Sequence, residues 1–96
     1  MRINFTARHY KAPERLKLYA ENEVKKLKKY WDGIIDCEVI LDYIKDMQVA
    51  EIRIKVYNNM LVATSSSNDI FKSIDDAVIK MERQLKKYKT KLKSYE

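Results

Sequence analysis

The sequence predicts an α+β domain in the order β-α-β-β-β-α: a four-stranded sheet with two helices packed on one face. Three observations carry this. Residues 13–31 and 69–92 repeat apolar side chains at three- and four-residue steps, the period of a helix with one buried stripe. Residues 3–7, 37–43 and 50–56 alternate apolar and polar side chains, the period of a half-buried strand. Each helix has one stripe to bury, so a single sheet that takes both on one face is the economical arrangement. The 96 residues read as one domain, 1–96, without repeats or a linker, since typical domains run to about 100–150 residues.

The elements follow in order. Ile3, Phe5 and Ala7 alternate with Arg2, Asn4, Thr6 and Arg8 to make the first strand. Pro13 suits the first turn of a helix, where its missing N–H has no partner to lose. Leu16, Ala20, Val24, Leu27 and Trp31 form that helix's stripe, and Asp32-Gly33 stops it, with Gly33 suited to the left-handed conformation common at helix ends. Cys37, Val39, Leu41 and Tyr43 point inward from the second strand, and Asp36, Glu38, Ile40 and Asp42 outward. Lys45-Asp46 reads as a turn. Ala50, Ile52, Ile54 and Val56 form the inward face of the third strand. Asn58-Asn59 reads as a hairpin turn, because Asn tolerates positive φ. Residues 61–66 make a shorter fourth strand. Ser67-Asn68-Asp69 offers N-caps for a long last helix whose stripe is Ile70, Ile74, Ala77, Val78, Met81, Leu85, Tyr88 and Leu92. If the first two strands are parallel neighbours, their crossover is right-handed.

Composition narrows the function. The single cysteine, Cys37, excludes an internal disulfide framework and a multi-cysteine zinc site, which suits a reducing compartment. No signal-peptide h-region opens the chain and no apolar run is long enough to span a membrane, so a soluble, cytoplasmic protein is expected. Twenty Lys and Arg against fourteen Asp and Glu give a net charge of +6. The excess is uneven: residues 1–12 hold three bases and no acid, residues 31–68 three bases and six acids, and residues 69–96 eight bases and five acids. A basic chain with an acidic middle has two electrostatic faces, an arrangement that orients it on a polyanion.

Catalytic chemistry has little to work with. His9 is the only histidine, Cys37 falls on the inward register of a strand, and no Gly-rich phosphate loop is present. Asp36, Glu38 and Asp42 share one strand face, where solvated charge is the ordinary reading. His9 reads as a loop residue near the start of the first helix, with a direct RNA contact as its alternative role. Neither a metal nor another cofactor is implied.

The basic helices are different. Residues 80–93 hold seven bases and one acid, Glu82, with Lys80, Arg83, Lys87 and Lys91 on successive turns and Lys86, Lys89 and Lys93 on the other flank of the stripe. Lys25, Lys26, Lys28 and Lys29 crowd the last turns of the first helix. The helix dipole favours cations at a C-terminus, but it explains two or three of these. Like charges at i,i+3 and i,i+4 repel by a few tenths of a kcal/mol per pair, so an anionic partner explains the clustering better than a solvated face. The seven tyrosines form no evident stacking platform. Tyr19, Tyr43 and Tyr88 fall in core registers, and Tyr10, Tyr57 and Tyr95 remain to meet bases. Recognition of RNA backbone and shape is therefore expected over base readout.

Three stretches resemble one family. Asp69-Ile70-Phe71-Lys72-Ser73-Ile74-Asp75 followed by Met81-Glu82-Arg83-Gln84-Leu85-Lys86-Lys87-Tyr88-Lys89-Thr90-Lys91-Leu92 resembles the last helix of the ribosome hibernation promoting factor and ribosome-associated inhibitor family. Its pattern there is D-[MI]-[YF]-x-x-I-D with an R-Q-L-x-K-x-K-x-K-L tail. Ile3-Asn4-Phe5-Thr6 with Arg8 resembles the family's first strand, and Leu27-Lys28-Lys29-Tyr30-Trp31-Asp32 its helix-one ending, L-x-K-Y-[FW]-D. The last-helix motif is long and fairly specific, and the order of elements agrees with the family's fold along the whole chain.

The resemblance implies a stress or stationary-phase factor that sits on the small ribosomal subunit, in the channel used by messenger and transfer RNA. Both basic helices would face ribosomal RNA, and translation would be inhibited by occlusion. The family's motif falls on Arg8, Lys26, Lys29, Arg83, Lys87, Lys89 and Lys91. Charge geometry adds Lys25, Lys80 and Lys86 to these candidate RNA-binding residues. Ala12 before Pro13, Asn58-Asn59 and Ser65-Ser66-Ser67 depart from the family's usual residues without touching the basic helices. Ending at Glu96, the chain looks like the short, dimer-promoting form, with the N-terminal piece of a long form as the alternative. The rival readings are a general double-stranded-RNA-binding module and a module whose acidic strands hold a basic protein.

Overall fold

A computed structural model describes the backbone of residues 1–30 and 33–94, and the side chains of those residues as far as Thr90. The order is the expected one: β1 (Arg2–Ala7), α1 (Glu14–Lys25) running into a 3-10 turn (Lys26–Lys29), β2 (Asp36–Ile44), β3 (Met47–Val56), β4 (Asn59–Ser67) and α2 (Ile70–Ser94). The strands lie in the order β1-β2-β3-β4. β1 runs parallel to β2, with Ile3 opposite Cys37 and Phe5 opposite Val39. The other two pairings are antiparallel hairpins, setting Val39 against Ile52 and Ile52 against Ala63.

The alternation of the strands sends one set of side chains to a single core. Cys37, Val39, Leu41, Ala50, Ile52, Ile54, Val56 and Ala63 join Leu16, Ala20, Val24 and Leu27 from the first helical segment. They also meet Ile74, Ala77, Val78, Met81 and Leu85 from α2. Both helices therefore bury their stripes on the same side of the sheet, α1 against β1 and β2 and α2 against β3 and β4. The other side of the sheet is left open. There Arg2 of β1 pairs with Asp36 of β2 at 3.1 Å, and Arg53 of β3 pairs with Glu51 of its own strand at 2.7 Å and reaches Glu38 of β2 at 3.9 Å.

Several local expectations change. β2 is a central strand, so its outward Ile40 is 3% exposed between its neighbours, and Asp42, one residue past the last pairing with β1, is 8% exposed beside His9. Tyr43, expected in the core, is 43% exposed. β1 ends opposite Leu41, and Tyr43 lies beyond that point on a hairpin that outruns its neighbour. The α-helical hydrogen bonding of the first helix stops at Lys25 and tightens into the 3-10 turn through Lys29, a frequent device at helix ends. Trp31 and Asp32, expected as the last residue of that stripe and the start of its stop, lie outside the described residues. Pro13 is the N-cap and not the first helical residue; its carbonyl accepts from the N–H groups of Leu16 and Lys17.

The two hairpin turns rest on left-handed backbone. Lys45 and Asp46 have φ of 50° and 64° between the paired Ile44 and Met47, a two-residue turn whose twist suits the strands. The second turn is Tyr57-Asn58, one residue earlier than expected: Asn58 takes φ of 59°, and Asn59 already pairs with Val56. At the start of α2 the Asp69 carboxylate accepts the Phe71 N–H at 3.0 Å, as an N-cap does. The fully buried Ser73 hydroxyl ties the same turn to the Gln48 carbonyl at 2.8 Å.

α1 and α2 lie side by side and run in the same direction. Tyr19, in the second turn of α1, donates to the Asp75 carboxylate at 2.6 Å and meets Phe71 edge-on, with ring centres 5.0 Å apart. At the other end Lys86 of α2 lies over the ring of Tyr30, just past the 3-10 turn. The two helices thus start together and bring their lysine-rich ends together.

Candidate nucleic-acid interface

Ten residues were candidates from the sequence. Lys25, Lys26 and Lys29 are exposed at the end of the first helical segment, and Lys28 stands exposed with them. Arg83, Lys86, Lys87 and Lys89 are exposed along the later turns of α2. Because the helices run parallel, these clusters occupy one end of the molecule. The Lys91 side chain lies outside the described residues.

The lysines are not equivalent. Lys26 donates to Glu23 at 2.9 Å, and that hydrogen bond is the main reason its pKa is raised. Lys80 donates to the Thr64 carbonyl at 2.8 Å. Gln84 donates to the Val62 carbonyl at 2.7 Å and Tyr88 to the Tyr57 carbonyl at 3.0 Å. Residues 80, 84 and 88 fall one turn apart, so one stripe of α2 covers carbonyls along β4 and the turn before it. An open sheet edge invites pairing with another chain, and this stripe satisfies part of that edge. Lys80 is therefore a structural cation first. Arg83, Lys87 and Lys89 form no ion pair among the described residues.

Arg8 stands apart from the lysines. Alternation puts it on the open face of the sheet, at the end where both helices begin, with its N–H donated to Leu41 at 2.8 Å. Its neighbour His9 adopts a left-handed φ of 68°, and Nδ1 of His9 lies 2.6 Å from Asp42 Oδ1. Asp42 also accepts the Tyr43 N–H at 2.7 Å. The hydrogen bond from His9, followed by that from Tyr43, holds the Asp42 carboxyl below its ordinary value against the opposing effect of burial. Asp42 is thus a held carboxylate and not the freely solvated charge expected.

No catalytic constellation is assembled by the residues that were considered for one. Cys37 is fully buried at the start of β2, and burial pushes its thiol up to about 12. His9 is occupied at the far end of the same strand. Among the described residues no group of three or more His, Cys, Asp or Glu is placed to hold a metal. No described helix is long and apolar enough to cross a membrane.

Sequence reading missed Tyr30. Its ring is half-buried against the core, with the Lys29 ammonium 5.2 Å from its centre and the Lys86 ammonium 5.1 Å away. The signal was available: Lys-Lys-Tyr occurs at 28–30 and again at 86–88. Only the parallel packing reveals that the first tyrosine lies between the helices.

A mixed sheet backed by two parallel helices, with their lysine-rich ends gathered at one pole, defines a small basic binding domain. The chain belongs to the family described as sigma 54 modulation protein / S30EA ribosomal protein, whose pattern matches residues 3–93. It is 28% identical over 94 residues to the ribosome hibernation promoting factor of Pseudomonas putida, covering 98% of this chain and 92% of that one. The Escherichia coli K12 protein of the same name is 28% identical over 95 residues, covering 99% and 100%. Among solved structures, the N-terminal domain of Thermus thermophilus Protein Y superposes with a TM-score of 0.83 at 25% identity, over 92% of this chain and 99% of that one. A ribosomal subunit interface protein from Coxiella burnetii shares the fold, with a TM-score of 0.88 at 24% identity over 94% and 99%. The reading of a binding protein and not an enzyme agrees with this family.

Proposed function

We propose that this protein is a ribosome hibernation factor. It binds the small ribosomal subunit in the messenger and transfer RNA channel, holds ribosomal RNA with its two basic helices, and inhibits translation by occlusion. The observation that carries this is the parallel packing of α1 and α2, which gathers lysines from both helices at one pole. Relatives named ribosome hibernation promoting factor over nearly the full chain support the same reading.

The physical sequence is short. Exposed Lys and Arg side chains approach phosphates and displace condensed counterions, so affinity falls steeply with salt. Lysines at the helix ends act as point charges on flexible stems and need no base identity. The ordered body of the domain then fills space that translation requires. No cofactor and no covalent step is involved.

The experiment is order of addition in a purified translation reaction. Protein added before messenger and initiator transfer RNA suppresses synthesis, and protein added after they are bound suppresses it much less. Equal inhibition in both orders contradicts occlusion of that channel. Excess free duplex RNA distinguishes the rival: it strips a general duplex binder from ribosomes at moderate salt and leaves a ribosome factor in place.

A further inference from the structure

We infer that Tyr30 is a positioning residue that holds Lys29 and Lys86 as one paired site for neighbouring phosphates of an RNA backbone. This rests on the ribosomal-RNA reading above and deepens it.

The two ammonium groups come from different helices and meet at one ring, 5.2 and 5.1 Å from its centre. They are therefore no farther apart than the sum of those distances, so a phosphate midway between them lies within the screening length, about 8 Å at physiological salt, of both. Each ammonium is attracted by the electron-rich face of the ring, while the two charges repel each other. An anion between or beside them relieves that repulsion.

The ring itself is held in place. It packs half-buried on the core, and the Tyr30 N–H closes the 3-10 turn on the Leu27 carbonyl at 3.0 Å. Leu27 is fully buried. A lysine on its own samples many rotamers; two lysines resting on a fixed ring are partly ordered before the phosphates arrive. Neither Lys29 nor Lys86 is ion-paired to a carboxylate among the described residues. The second Lys-Lys-Tyr triplet makes the contrast. Tyr88 spends its hydroxyl on the Tyr57 carbonyl at 3.0 Å and serves the β4 side of α2.

The test is a salt titration of binding to purified small subunits by full-length wild type, Tyr30→Phe, Tyr30→Leu and Lys29→Gln/Lys86→Gln. Tyr30→Phe keeps the ring and retains the wild-type salt slope. Tyr30→Leu lowers the slope of log affinity against log salt by about one, the loss of roughly one phosphate contact. In the double-glutamine background Tyr30→Leu changes the slope no further. The inference is overturned if Tyr30→Leu keeps the wild-type slope, if Phe fails as badly as Leu, or if Leu acts equally in the double-glutamine background. Should Tyr30→Leu fail to fold, the two single glutamine variants decide. Losses from Lys29→Gln and Lys86→Gln that are non-additive support a shared site, and strictly additive losses overturn it. Wild type that does not bind small subunits even at low salt sinks the parent reading instead.

Discussion

Tyr19 of α1 donates a 2.6 Å hydrogen bond to the Asp75 carboxylate of α2 and fixes the beginnings of the two helices against each other. The same parallel alignment brings Lys86 of α2 over Tyr30 at the other end. Tyr19→Phe keeps the edge-on contact with Phe71 and removes only the hydroxyl. It is expected to destabilise the domain by about 1 kcal/mol, or about 4–8 °C in Tm for a domain of this size, read by thermal unfolding.

The same bond sets a pH limit. Hydrogen bonding to Asp75, then burial, pushes the Tyr19 phenol up to about 12 from an ordinary value of 10.0. A group raised on folding stabilises the protein fully below its unfolded value and ceases to do so as pH climbs through the folded one. Stability is therefore expected to fall between about pH 10 and 12. Denaturant midpoints across that range check it, and the fall is shallower in Tyr19→Phe.

His9 and Asp42 act at the acid side. The Asp42 carboxyl is held below 3.8, its ordinary value, first by the hydrogen bond with His9. A depressed carboxylate lends stability above its unfolded value and loses it as pH drops through the folded one. His9→Ala is expected to move the Asp42 titration, followed by carboxyl NMR, upward toward the ordinary value. An unmoved titration contradicts the assignment.

Lys80 and Lys87 separate structure from binding. Lys80 is spent on the Thr64 carbonyl at the sheet edge, whereas Lys87 forms no ion pair among the described residues. Lys80→Ala is expected to lower stability by about 0.5–1 kcal/mol and leave the salt slope of ribosome binding unchanged. Lys87→Ala leaves stability within about 0.5 kcal/mol and lowers that slope by about one. Unfolding curves and salt titrations on both variants check the pair.

Leu85 is the keystone of the stripe that presents the basic residues. It is fully buried between α2 and the sheet. Leu85→Ala is expected to lose about 2–5 kcal/mol, a large part of the stability of a small domain. Urea unfolding measures it.

Much of this fold is visible in the residues themselves. The alternation of Ile3, Phe5 and Ala7 and the long stripe from Ile74 to Leu85 are local periodicities, and each reappears as a strand or helix face. Tyr43 was misread because a period of two says nothing about where a neighbouring strand ends. Asp42 differs from its solvated reading because its partner is His9, 33 residues away in sequence, a tertiary fact. The site was legible as a set of cations and not as an arrangement. Charge counting ranks Lys80 with Lys87, and only the carbonyl of Thr64, sixteen residues away in sequence, distinguishes them. Tyr30 carries no charge, so charge counting passes over it, and only the parallel run of α1 and α2 sets its ring beside Lys29 and Lys86.

The most direct measurement is co-sedimentation with purified bacterial ribosomes across a salt series, with Lys87→Glu/Lys91→Glu as the paired variant. The account predicts that wild type travels with small subunits and whole ribosomes at low salt and dissociates steeply as salt rises. The variant stays in the supernatant throughout. Wild type that remains unbound at low salt, or a variant that binds as tightly as wild type, contradicts ribosome binding through the basic helices.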